Sequence, residues 1–211
     1  MKEYKLPIGC DVPETIILAD GDFPSHPLAL EWLRQCPYVV CCDGAANTYI
    51  RSGRMPEAIV GDGDSLLPDI KERYASLIHS EAEQETNDLS KAFRFCLSQE
   101  RKRITIMGAT GKREDHTIGN VSLLADYMEQ VEVSMMTDYG IFVPIREDSM
   151  FESYIGQQIS VFNMNSTALS AEGLAYPLSV FTNWWQGTLN EALARHFIIR
   201  TEGKVLVFRV F

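Results

Sequence analysis

The sequence predicts an α/β chain: an N-terminal, largely parallel sheet with helices on both faces, followed by a small C-terminal all-β sandwich domain. Three observations carry this expectation. Short β-rich runs alternate with helix-period segments through the first two thirds of the chain. Helical periodicity stops after about Tyr139, where short strands separated by Gly, Pro, Asn and Ser take over. The early strands end in loops rich in Gly and Asp, and open parallel sheets bind ligands at the carboxyl ends of their strands. An α/β domain over residues 1–139 and a β domain over residues 140–211 follow.

Taken in order, the strand candidates of the first domain are Thr15 to Ala19, Tyr38 to Cys42, Ala58 to Val60, Ser76 to His79, Ile104 to Met107 and Val131 to Met136. Each is short and β-rich. The clearest helix carries Leu89, Ala92, Phe93, Cys96 and Leu97 at the i, i+3, i+4, i+7, i+8 spacing of one buried face, with Thr86 or Asn87 as its cap. A second places Ile118, Val121, Leu124, Ala125 and Met128 on one stripe. Beyond Tyr139 the strand candidates are Ile141 to Ile145, Gln158 to Phe162, Ala168 to Ala171, His196 to Arg200 and Val205 to Val210. The alternation on either side of Glu202-Gly203 suits a terminal hairpin.

Composition narrows the partners. With 211 residues and 45% hydrophobic content the chain can bury a sizeable core. No stretch approaches the roughly 20 apolar residues of a membrane helix, and no secretory apolar region follows Met1-Lys2-Glu3-Tyr4-Lys5, so a cytoplasmic protein without a membrane partner is expected. Nineteen basic and 29 acidic side chains give a net charge of −10, which disfavours nucleic acid and favours metal ions and cationic small molecules. The five cysteines, Cys10, Cys36, Cys41, Cys42 and Cys96, lack zinc spacing, and reduced thiols are expected.

Four segments carry chemistry, each just after a predicted strand. Gly61-Asp62-Gly63-Asp64-Ser65 sets two carboxylates one residue apart at a strand end, the hard oxygen ligands that a magnesium ion carrying nucleotide phosphates requires. The same pentapeptide is also an ordinary solvated turn. Cys42-Asp43-Gly44-Ala45-Ala46-Asn47 lets a backbone approach a ligand closely, or simply caps a helix. Gln84-Glu85-Thr86-Asn87-Asp88 puts Asp88 in a first helical turn, where the helix dipole favours a carboxylate in any case.

The fourth segment, Gly108 to His116, combines two glycines with Lys112 and Arg113 at a helix start, which fits a phosphate-binding loop. It is not a Walker loop, because two residues separate Gly108 from Gly111 and Arg113 stands where Ser or Thr should coordinate magnesium. Nor does Asp62 open a calcium-binding loop of the EF-hand type, since the twelfth position is Arg73. Acidic turns after three strands and a basic glycine loop after a later one converge on one end of a parallel sheet.

Together these residues resemble a known family. Asp43-Gly44-Ala45-Ala46-Asn47, Gly61-Asp62-x-Asp64-Ser65, Gln84-x-Thr86-x-Asp88-x-x-Lys91-Ala92 and Gly108-x-x-Gly111-x-Arg113-x-Asp115-His116-x-x-x-Asn120 have the order and spacing of thiamine pyrophosphokinases. Glu172-Gly173-Leu174-Ala175-Tyr176-Pro177-Leu178 is similar to the signature of that family's β domain. The resemblance implies a homodimer that transfers the pyrophosphoryl group of ATP to the thiamine hydroxyl, releasing AMP. It implies catalytic roles for Asp43, Asp62, Asp64 and Asp88, with magnesium on Asp62, Asp64 and Asp88. It further implies ATP contacts from Gly108, Gly111, Lys112, Arg113, Asp115, His116 and Asn120. Thiamine would meet Gln84, Tyr176 and Asn190, with Tyr176 reaching the site from the partner subunit.

This sequence departs from the family in places. Gly63 stands where Phe is usual between the two carboxylates, which removes a packing anchor, and Leu189 replaces a Ser before Asn190-Glu191. Trp184-Trp185 suits a stacking platform, a sandwich rim or a dimer face. A pyrophosphokinase for another alcohol such as a pterin, or a non-catalytic nucleotide or thiamine sensor on the same scaffold, are the competing expectations.

Overall fold

A computed structural model describes residues 1–8, 12–81 and 85–211 of the chain. The elements of the first part run β1 (Lys2–Tyr4), β2 (Thr15–Leu18), α1 (Pro27–Gln35), β3 (Val39–Cys42), α2 (Ala45–Arg51), β4 (Ala58–Gly61), α3 (Pro68–Arg73), β5 (Ile78–Ser80), α4 (Asp88–Ser98), β6 (Arg103–Met107), α5 (Glu114–Tyr127) and β7 (Glu132–Met136). The second part adds β8 (Gly140–Ile145), β9 (Ser149–Glu152), β10 (Gln158–Asn163), β11 (Leu169–Glu172), β12 (Asn190–Glu191), β13 (His196–Thr201) and β14 (Val205–Val210).

The chain forms two compact units. One takes Val12–Leu123 and Val131–Asp138; the other joins the N-terminal segment with β1 to Leu124–Gln130 and Tyr139–Phe211. In the first unit six parallel strands lie in the order β7-β6-β2-β3-β4-β5. Its central strands, Thr15–Leu18, Val39–Cys42 and Ala58–Gly61, are buried along their whole length, as β-branched runs covered on both faces should be. The strand order reverses at β2, which has β3 on one side and β6 on the other. Such a reversal opens a crevice at the carboxyl ends of the strands.

Helix α4 packs on β3 and β4 through Leu89, Ala92, Phe93 and Cys96, the face its sequence spacing predicts. Its cap is Asn87, whose side chain accepts from the Ser90 N–H at 2.9 Å. Two expectations are corrected. Strand β5 starts at Ile78 rather than Ser76, because Ala75–Leu77 form a 3-10 turn. The predicted stripe of α5 also fails at both ends: Ile118 is exposed, Met128 lies past the helix, and the buried residues are Leu124 and Tyr127. The first turns of α5 hold Glu114, Asp115, His116, Thr117 and Asn120, so this end of the helix serves solvent and the crevice rather than a core.

The second unit is a β-sandwich whose layers hold the strands β1-β9-β13-β11 and β12-β10-β14-β8. The terminal hairpin is overturned: β13 pairs with β9 and β11, whereas β14 pairs with β8 and β10. Glu202-Gly203 therefore carries the chain from one sheet to the other. Period-two alternation is the same whether consecutive strands pair or face each other across a sandwich, so the pattern could not distinguish them.

Among the described cysteines Cys36, Cys41, Cys42 and Cys96 are free thiols, and burial pushes Cys96 up to about 12; Cys10 lies outside the described residues. No helix among the described residues is long and apolar enough to cross a membrane.

Phe151 anchors the sandwich core. It is fully buried between Tyr4 and Phe197, with ring centroids 4.8 and 5.1 Å away and near-parallel planes. The buried Arg209 guanidinium lies 5.1 Å from the Phe151 ring and donates to the carbonyls of Glu152 and Lys5 at 2.9 and 3.0 Å. Phe151→Ala is expected to cost about 3–5 kcal/mol in chemical denaturation, since it removes the shared middle of an aromatic stack. A loss below about 1 kcal/mol would show that the stack is not the anchor.

Candidate active site

Asp43, Asp62 and Asp64 meet at the ends of β3 and β4, each with one carboxylate oxygen within 4.8 Å of one from each of the others. Asp43 is buried and sits in the left-handed region at φ 32°, a conformation that Asp tolerates better than most residues. Its Oδ2 accepts the Ser65 N–H at 3.1 Å, and its buried Oδ1 has no hydrogen-bond partner. Burial pushes the Asp43 carboxyl up to about 6; the Ser65 N–H opposes that rise, and Asp64, Asp88 and Asp62 add to it. Asp62 and Asp64 are exposed, and the Ser65 hydroxyl at 3.1 Å lowers the Asp64 carboxyl.

The turn carrying these carboxylates is clamped from several sides. Asn47 on α2 donates to the Ser65 carbonyl at 2.8 Å and accepts from the Leu67 N–H at 3.0 Å. The Asp64 N–H donates to Asp62 Oδ1 at 3.2 Å, and Lys71 Nζ donates to the Gly63 carbonyl at 2.7 Å. Gly63 has φ +75°, which glycine adopts without a steric penalty. The turn that lacks an aromatic anchor is held by a lysine and an asparagine instead.

The crevice at the strand ends is a cleft of about 490 Å³ in the α/β unit. Its walls come from the loop after β2, the end of β3, Asp62 after β4, the start of α4 and the glycine loop after β6. Among the predicted residues, Asp62, Asp88, Gly111, Lys112, Arg113, His116 and Asn120 all line it. The basic loop and Asp62 thus face one cleft. Asp88 stands outside the three-carboxylate group, and its Oδ1 accepts from the buried Lys91 ammonium at 3.1 Å. Gln84 lies outside the described residues.

Three predicted nucleotide residues also make polar contacts around the site. The Asn120 side chain donates to the Ala109 carbonyl at 2.8 Å and accepts from Asn87 at 3.2 Å, tying the glycine loop to the cap of α4. Arg113 and Asp115 form a two-pronged pair at 3.0 and 2.5 Å, and the Arg113 guanidinium holds the Asp115 carboxyl down at about 2. Sequence reasoning missed Asp20 and Gly21, which also line the cleft. The signal was present, since Asp20-Gly21-Asp22 follows the first strand of this sheet as Asp62-Gly63-Asp64 follows its third. A Cβ on Gly21 would lie 2.3 Å from the Thr110 carbonyl oxygen, so glycine is what lets the two loops meet.

In the β unit, Tyr176 is exposed, while the buried Asn190 is committed to it. Asn190 accepts from the Tyr176 N–H at 3.0 Å and donates to the Tyr176 carbonyl at 2.8 Å. Asn190 therefore positions Tyr176. Leu189 is exposed at φ 62°, Trp184 packs edge-on against Phe162 at 6.0 Å, and Trp185 faces outward.

Residues 29–136 match the family model for the thiamin pyrophosphokinase catalytic domain, and residues 140–208 match that for the substrate-binding domain. The chain belongs to the thiamin pyrophosphokinase family. Similar proteins include thiamine pyrophosphokinase 1 of rice, 30% identical over 49% of this chain and 49% of that protein, and the Bacillus subtilis thiamine pyrophosphokinase, 34% identical over 39% of this chain and 40% of that protein. The chain spans about half the length of the curated relatives it matches. The solved Candida albicans thiamin pyrophosphokinase superposes with a TM-score of 0.80 at 18% identity, covering 100% of this chain and 93% of that one. The solved Bacillus subtilis enzyme gives 0.78 at 20% identity, covering 93% and 98%. At these identities the two structures share its fold.

For this family member, Asp43 gives a test with a defined sign. Its folded-state value near 6 lies above the ordinary 3.8, so its favourable contribution to stability is full below about 4 and is lost as pH rises through about 6. Asp43→Asn keeps a side chain suited to φ 32° and an acceptor for the Ser65 N–H. It should therefore raise the thermal midpoint of the metal-free protein at pH 8 by about 2–4 °C, with the gain fading below pH 6. Calorimetry across that range checks it, and a lowered midpoint at pH 8 would contradict the burial argument.

Proposed function

We propose that the chain is a magnesium-dependent thiamine pyrophosphokinase, moving the pyrophosphoryl group of ATP onto the thiamine hydroxyl to give thiamine diphosphate and AMP. The observation that carries this reading is the cleft itself, where Asp62 and Asp88 share walls with Lys112 and Arg113 in a chain that matches both domain models of the family. Attack of the alcohol oxygen on the β-phosphorus, with the bond to AMP breaking, needs cations on the phosphate chain and a carboxylate to take the alcohol proton.

The carboxylates fit magnesium. They are hard oxygen donors, grouped within 4.8 Å, and one of them, Asp43, carries a buried oxygen with no hydrogen-bond partner. Asp62 and Asp64 would hold the ion, with Asp43 as a further donor. When bound, it supplies positive charge to the phosphate oxygens. Lys112 and Arg113 add charge from the glycine loop, and Gly108 and Gly111 shape that loop so that its backbone can approach a phosphate. Lys91 orients the Asp88 carboxylate, which we assign to the alcohol proton of thiamine. Asp115 and His116 sit at the head of α5, where Asp115 fixes the Arg113 guanidinium.

Thiamine carries a cationic thiazolium, which suits the acidic end of the cleft and an aromatic wall. Tyr176 is that wall in this reading, contributed to the thiamine site of a second copy of the chain and set by Asn190. In this reading the exposed Tyr176, Trp185 and Leu189 of the β unit would meet the second copy.

The test is product analysis with ATP, magnesium and thiamine. AMP formed only when thiamine is present is the expected outcome, whereas ADP would indicate a simple kinase. Asp64→Asn and Asp88→Asn should each lower turnover by at least about a hundredfold with unchanged circular dichroism. Near-normal rates in both would remove the carboxylate assignment.

A further inference from the structure

We propose that Asp20 is a positioning residue of the cleft: it holds the Lys112 ammonium when no polyphosphate is bound, and a nucleotide enters by taking Lys112 from it. The inference rests on the nucleotide reading above and concerns how that same site is set. Asp20 follows β2, at the point where the strand order reverses, and its Oδ1 lies 3.1 Å from Lys112 Nζ. Both side chains line the cleft and are about half exposed, at 47% and 52%, so the pair is reachable by a ligand and weak enough to exchange.

The backbone around the pair is fixed, which leaves the side chains as the moving parts. The Ala19, Gly21 and Asp22 N–H groups donate to the carbonyls of Met107, Gly108 and Thr110 at 2.8, 2.6 and 2.8 Å, stitching the Asp20 loop to the glycine loop. Lys112 itself is held at φ 47°. The other oxygen of Asp20 rests against Gly44, where a Cβ would stand 2.7 Å from Oδ2 and 3.1 Å from the Ser65 Cβ. Gly44 has φ −54°, open to any residue, so conformation does not require its glycine, and the Asp20 carboxylate lies close beside it. Asp20 thus reaches from the neighbourhood of the carboxylate turn to the cationic loop, and it competes with phosphate oxygens for the same ammonium.

Binding of ATP, with and without magnesium, to the intact chain by titration calorimetry at low salt tests this. Asp20→Asn should bind ATP about two- to fivefold more tightly than the natural chain, the range an exposed ion pair supports. The gain should vanish in the Lys112→Met background, where no ammonium is left to release. A gain of the same factor in that background would mean simple charge repulsion and would overturn the proposal, as would unchanged or weaker binding by both Asp20→Asn and Asp20→Ser. If the natural chain binds no ATP under either condition, the nucleotide reading fails first, an outcome distinct from normal ATP binding without the Asp20 effect.

Discussion

Three carboxylates held within 4.8 Å of one another repel, and the site is organised around resisting that repulsion. Asp43 bears most of the strain. It is buried, its backbone is left-handed, and its carboxyl is pushed up to about 6 by burial with neighbouring charge added. Such an arrangement persists only where surrounding structure over-determines it. Here the Asn47 carboxamide, the Ser65 N–H and the Lys71 ammonium each hold the turn through a separate element, so no single bond has to. The cost in metal-free stability and the capacity to take a cation are two consequences of one geometry.

The sheet explains why these groups meet a basic loop at all. Parallel strands release their loops at one end, and the reversal of order at β2 separates the loops after β2 and β6 from those after β3 and β4 enough to leave a cleft. Acidic loops stand on one side of that reversal and the cationic loop on the other. Asp20, at the reversal itself, belongs to both sides, which is why a carboxylate there pairs with Lys112 rather than joining the metal-type group.

Much of this was legible because it is local. β-branched runs closed by Asp and Gly mark strands and their functional ends within a few residues, and the face of α4 follows from spacing alone. What escaped depends on contacts distant in sequence. Strand β1 exists by pairing with β9, Lys2 opposite Ser149, and nothing within Lys2–Tyr4 announces it. The supposed terminal hairpin failed for the same reason, since alternation says which way side chains point but not which sheet receives them. Asp20 escaped although Asp20-Gly21-Asp22 repeats the Asp-Gly-Asp pattern of the later turn, because its task shows only once Lys112, 92 positions later, is seen beside it.

Asn190 and Gly63 show how contacts distant in sequence add to what a residue type suggests. The buried Asn190 side chain is engaged with the Tyr176 backbone, leaving Tyr176 as the group presented outward. Gly63 looked like a loosened turn because an aromatic anchor was missing. Its φ of +75° instead lets the carbonyl point at Lys71, a bond that an ammonium on α3 can make from outside the acidic group. The Lys71 ammonium also brings a positive charge to a turn crowded with carboxylates, which offsets the repulsion the turn must withstand.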